Sequence, residues 1–163
     1  MRLQTVIAVG VVLLLPVAVS AQDRGWVGEV SAGWAGLVDD ATKNYLLVGG
    51  TVRRHVSPRV SIGPELVIMS NSDSLRDRNV MLTGNVVFDA APDARVSAFA
   101  IGGLGMFWGR EQFRDGPYWS NDPAFTAGGG LRANVTESVA VGGEYRIGWE
   151  LHQRVSGFAS VRW

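Results

Sequence analysis

Val139-Ala-Val-Gly-Gly-Glu-Tyr-Arg-Ile-Gly-Trp149 decides the fold. Val139, Val141, Gly143, Tyr145, Ile147 and Trp149 share one parity, and Ala140, Gly142, Glu144, Arg146 and Gly148 share the other. Successive strand side chains point to opposite faces, so this strand has one greasy face and one small or charged face. A soluble barrel would turn its polar face outward and cover it with Lys and Glu. Here the polar parity is mostly Gly, Ser, Thr and Ala with a few Arg and Glu, which suits a narrow, filled interior. The inversion predicts a barrel whose apolar side faces lipid.

The same alternation recurs from Trp26 to Trp163 in eight segments, each near the ~10 residues that a tilted membrane strand needs. The segments are Trp26–Leu37, Tyr45–Val56, Arg59–Ser70, Asn79–Asp89, Arg95–Trp108, Ala124–Val135, the stretch above, and Arg154–Trp163. Short turns are predicted at Ser57-Pro58, Ala90–Ala94 and Thr136–Ser138, with longer links at Val38–Asn44, Asn71–Arg78 and Gly109–Pro123. Glu150–Gln153 is a short exception. Short turns on one side and long loops on the other, with an even strand number, place both termini at the short-turn, periplasmic end. The fifth segment is Gly-rich with an unclear parity. Pro64 falls on the apolar parity of the third, where a residue without an N–H predicts a bulge or local break.

The bulk composition narrows the function classes. The chain has 163 residues, the size of one domain, and a formal net charge of zero, so no basic footprint points to nucleic acid. It has no cysteine and two distant histidines, which excludes a thiolate site and leaves no metal-ligand pattern. No cofactor is expected. Met1-Arg2, the apolar run Val6–Val19 and the small residues Val19-Ser20-Ala21 read as a cleavable signal peptide over residues 1–21. The barrel domain then spans 22–163. No later run is apolar for long enough to be a spanning helix, so any crossing must use strands.

Three motifs carry a family resemblance: Arg95-Val-Ser-Ala-Phe-Ala-Ile-Gly-Gly-Leu-Gly-Met106, Ala127-Gly-Gly-Gly-Leu-Arg-Ala-Asn-Val-Thr136 and Val141-Gly-Gly-Glu-Tyr-Arg146. With them the chain resembles the small eight-stranded outer-membrane β-barrels of the OmpA membrane-domain and OmpX type. The resemblance implies an all-β, antiparallel, up-and-down transmembrane barrel in the bacterial outer membrane. It also implies contact with outer-membrane lipid and lipopolysaccharide, and a monomeric state. The family's last strand ends on an aromatic residue read by the barrel-assembly machinery. Val161 and Trp163 match that signal, with Trp in place of the commoner Phe and Gly157 where an apolar residue is frequent. No peptidoglycan-binding domain is expected to follow.

An eight-stranded barrel is only wide enough to hold its own side chains. The inward parity supplies Glu29, Arg53, Glu65, Arg132, Glu144, Arg146 and Arg162, with Asp89 on the same face. Buried charges are costly unless paired, so an ion network that plugs the lumen is expected rather than a solute pore. Folding the first hairpin about Ala41 sets Glu29 opposite Arg53, and Glu144 is expected near Arg132 and Arg146. The Gly109–Pro123 loop, with Arg110, Phe113, Arg114, Tyr118 and Trp119, is the predicted place for a surface ligand, whose identity the residues do not reveal.

Two rival functions start from the same residues. A lipid A-modifying barrel enzyme could use His55-Val-Ser57 with Glu65, but Pro58 and the short-turn location argue against an active site, so no enzyme is expected. A soluble secreted barrel carrying an apolar ligand would put Val60, Leu66, Val86 and Tyr145 inside and Glu144 and Arg146 in water.

Overall fold

The computed structural model describes residues 25–37, 44–71, 78–113, 116–148 and 152–163. The expected signal peptide lies outside them. Eight strands follow in order: β1 Trp26–Leu37, β2 Asn44–Ser57, β3 Val60–Asn71, β4 Arg78–Asp89, β5 Val96–Phe113, β6 Gly116–Asn134, β7 Val139–Gly148 and β8 His152–Arg162. Each pairs antiparallel with its neighbours in the chain, and β8 returns to β1 to close the barrel. Closure is reinforced at the rim by reciprocal backbone hydrogen bonds between Trp26 and Trp163, both 3.0 Å. A closed barrel leaves no strand edge within the band it encloses, so the backbone groups there are satisfied without water.

Direction separates the two barrel classes. Leu66, Val86 and Tyr145 are 46%, 52% and 48% exposed, whereas Glu144 and Arg146 are 5% and 2% exposed. The apolar parity faces out and the charged parity faces in, the reverse of the soluble alternative. On β4 the outward residues between Arg78 and Phe88 are Val80, Leu82, Gly84 and Val86. The ten residue steps from Arg78 to Phe88, at ~3.3 Å each and a tilt of ~40°, give an apolar band ~25 Å tall.

The short-turn end is tightly built. The Ser57 hydroxyl accepts from the Val60 N–H at 3.1 Å, and Thr136 Oγ1 accepts from Ser138 and Val139 at 3.2 and 2.9 Å. Asn134 donates to the Ala94 carbonyl at 2.8 Å, tying two adjacent turns together.

Two expectations are corrected, and the break expected at Pro64 is located. The first hairpin folds one position earlier than Ala41, so Glu29 faces Thr51 and Val27 faces Arg53. A slip of two residues preserves parity, so every side chain keeps its face. At Pro64 the β2–β3 ladder skips the Val52 and Arg53 positions but resumes in phase at Arg54 opposite Ile62, and Thr51 Oγ1 donates to the Pro64 carbonyl at 2.6 Å. The register shift falls between His55 and Ser57. The second correction is the predicted Gly109–Pro123 loop, most of which is strand: β5 and β6 stay paired from Val96 opposite Ala133 to Phe113 opposite Gly116. Among the described residues the β6–β7 ladder ends with Thr126 opposite Gly148.

Candidate functional site: the barrel interior and its rims

Alternation sends Glu65 from β3, Glu144 and Arg146 from β7, and Arg154 from β8 into the centre of the lumen. Glu65 accepts from Arg154 Nη2 at 2.8 and 3.0 Å, from Arg146 Nη1 at 2.9 Å and from Asn85 Nδ2 at 2.9 Å. Glu144 accepts from Arg146 Nη2 at 2.7 Å and from Ser156 Oγ at 3.0 Å, and lies 3.7 Å from Arg154. β3 stands across the ring from β7 and β8, so this cage ties opposite walls together through the middle of the barrel. Two carboxylates facing two guanidiniums leave it neutral.

Two further pairs lie toward the short-turn end. Arg53 Nη2 donates to Glu29 Oε2 at 2.7 Å, a diagonal contact across the register of β1 and β2. Arg132 Nη1 donates to both oxygens of Asp89 at 2.8 and 3.0 Å, with its guanidinium 5.3 Å from the Phe99 ring centre. The buried acids Glu29, Glu65, Asp89 and Glu144 thus match the buried arginines Arg53, Arg132, Arg146 and Arg154, four against four among the described residues. In a low-dielectric interior such pairing is what keeps each charge tolerable.

Some sequence expectations come together here and others do not. Glu144 meets Arg146 but not Arg132, because Arg132 faces Gly142 in the register and reaches Asp89. Arg162 stays out of the cage. It is half-buried at the short-turn mouth, in an open recess of about 330 Å³ shared with His55, Ser57, Pro58, Pro92 and Asp93. Arg154, at the centre, was not among the residues expected in the network, although Ser156 and Ser160 on the same parity marked the inward face.

The interior is also greasier than its sequence parity suggests. Ala35, Tyr45, Leu47, Val67, Met69, Met81 and Ala124 form an apolar plug toward the loop end, with Phe107 against it. Val87, Phe99, Ile101 and Phe158 form a second cluster on the short-turn side of the cage. There the Phe99 and Phe158 rings meet edge to face, 5.7 Å apart. Apolar and ionic tiers therefore alternate along the lumen.

The candidate enzyme residues are not assembled. The Ser57 hydroxyl is held in its turn, His55 faces Ser61 in the ladder, and Glu65 is bound by two guanidiniums. No group of acids and histidines that could hold a metal occurs among the described residues.

Of the predicted loop residues, Arg110 and Phe113 lie on β5 and Tyr118 and Trp119 on β6, while Arg114 lies outside the described residues. The register sets Arg110 opposite Trp119 and Glu111 opposite Tyr118. At 18 and 19 residues these two strands are longer than the other six. They carry a paired hairpin past the end of β7 on the loop side. At the opposite rim Val161 and Trp163 share the outward parity of β8, and the Trp163 ring packs beside Gly28.

No protein-family model and no curated protein matches the sequence. Solved structures do. Neisserial surface protein A is similar at a TM-score of 0.72 with 10% identity, over 86% of this chain and 98% of that one. The N-terminal β-barrel domain of Pseudomonas aeruginosa OprF gives 0.68 with 11% identity, over 84% and 97%. A de novo designed transmembrane β-barrel gives 0.54 with 20% identity, over 89% and 100%. The ring of eight antiparallel strands, apolar outside and ion-paired within, is the fold of the small eight-stranded outer-membrane β-barrels.

Proposed function

We propose that this protein is a monomeric bacterial outer-membrane barrel whose lumen is a closed plug and whose activity is structural or interactive, displayed on the β5–β6 hairpin. The cage joining Glu65 of β3 to Arg146 and Arg154 of β7 and β8 carries the reading, because its bonds cross the space a solute would need. The exposed apolar band and the residues 1–21 leader support export and insertion into lipid. Both termini then lie in the periplasm, and the hairpin rises from the opposite face toward lipopolysaccharide and the cell surface. Val161 and Trp163 serve the barrel-assembly machinery during biogenesis. No catalytic role is assigned.

Cell fractionation with heat-modifiable gel mobility tests location: the folded form should run in the outer-membrane fraction and shift on boiling. A protein found free in the periplasm would defeat the reading. Planar-bilayer recording tests the plug, and a stable open state large enough for solutes refutes it.

A further inference from the structure

We propose that Arg54 and Trp26 form a binding site for the phosphate of an anionic phospholipid headgroup in the leaflet at the short-turn end. This rests on the membrane-embedded reading above. Among strand residues whose side chains are described, only Arg54 and Arg78 carry charge on the outward parity, and Arg54 alone does so at the short-turn rim. Its same-face neighbours Trp26, Val52, Val56 and Ile62 are exposed and apolar. No described carboxylate pairs with it.

A charge pointing at lipid is tolerated only near the interface, where the cost falls to about 0–1 kcal/mol. Arg54 meets that condition, since His55 next to it hydrogen-bonds to Gly25 where β1 begins, and Trp26 bonds to the terminal Trp163. The guanidinium also has an aromatic neighbour. Its central carbon lies 5.8 Å from the Trp26 ring centre, within cation–π range of the indole. A planar guanidinium beside an indole still offers its N–H groups, which match a phosphate's paired oxygens. The acyl chains of the same lipid would run along Val52, Ile62 and Leu66 on the apolar band. Arg59, exposed in the turn after β2, adds a second cation at this rim.

The test is to fold the protein into vesicles of phosphatidylcholine and phosphatidylglycerol, extract it gently, and count retained lipids by native mass spectrometry. Wild type should hold phosphatidylglycerol about fivefold above the mixing ratio, the scale of one interfacial arginine. Arg54→Gln should return retention to the mixing ratio, and Arg54→Lys should keep part of the preference because the charge stays while the planar fork is lost. Enrichment that is absent in wild type, or unchanged in Arg54→Gln, overturns the site. Displacement of the lipid by soluble glycerol phosphate overturns the lipid assignment. Heat-modifiable mobility scores insertion separately. A chain that never inserts defeats the membrane reading and the site together, while an inserted barrel without enrichment defeats the site alone.

Discussion

Replacing Glu65 by Gln keeps the shape of the side chain and removes the charge that joins the two halves of the cage. Arg146 would still have Glu144 at 2.7 Å, but Arg154 would face only Glu144 at 3.7 Å, leaving one positive charge in excess. Stranding one partner of a buried pair costs about 3–5 kcal/mol, a large part of the ~5–15 kcal/mol that holds a typical domain folded. Arg154→Met should cost less, near 3 kcal/mol, because Glu65 keeps Arg146 and Asn85. The double variant restores neutrality with the Arg146–Glu144 pair intact, so its cost should fall below the sum by about 1–3 kcal/mol. Urea unfolding of vesicle-inserted protein, followed by tryptophan fluorescence, reads all three against wild type. Two single variants that each lose under about 1 kcal/mol, with additive effects, would refute the cage as the tie between opposite walls.

Three other perturbations have expected outcomes. Leu66→Arg, in the middle of the outward band, should cost about 2–4 kcal/mol in lipid, and Val56→Arg at the rim about 0–1; equal tolerance of both would argue against lipid contact. Gly128→Ala should destabilise by about 1–3 kcal/mol, because a Cβ there would overlap the Tyr145 carbonyl and lie 2.7 Å from Arg146 Cα. The outward Gly143→Ala meets nothing closer than 3.7 Å and should leave the urea midpoint unchanged or slightly raised. Joining Gly109 to Ser120 through an Asn-Gly turn removes the far end of the hairpin and should shift stability by no more than about 0.5 kcal/mol. A shift above 2 kcal/mol would show that the hairpin belongs to the barrel's own folding unit.

The faces of the strands were legible where lipid imposes a strict requirement. Leu46, Val48, Leu66, Leu82, Val86, Leu131 and Val155 all point outward as their parity predicts, since a polar residue there is penalised on every turn of the barrel. The interior imposes a looser one. It must be filled and neutral, and either an apolar tier or an ion pair satisfies that, so Phe99 and Ile101 on β5 masked its alternation. Outside the lipid band the requirement disappears on both faces. At the far end of the β5–β6 hairpin, residues 110–113 and 116–119 alternate no better than a loop in sequence while still pairing as strands. Hairpin register depends on connections such as 38–43, where composition fixes no turn type, and an error of two residues there leaves parity untouched.

Register errors matter most for the interior, and there the physics forgives them. Glu29 faces Thr51, yet it pairs with Arg53 because a guanidinium on a long stem reaches the diagonal position at 2.7 Å. Asp89 on β4 takes Arg132 from β6, skipping the intervening strand. Long arginines let four acids find four bases without a fixed cross-strand code. The cage is therefore specified by composition and parity more than by register. Substitutions that move a charge by two positions on the inward face should be tolerated far better than ones that change its sign. Moving the acid from Glu29 to Ser31 keeps the interior neutral, whereas Glu29→Lys leaves Arg53 unmatched and the interior two positive charges in excess. Unfolding midpoints of the two variants should differ by at least the ~3 kcal/mol that separates a rearranged pair from an unpaired buried charge. Equal midpoints would mean that the strand register, not charge balance, sets the interior.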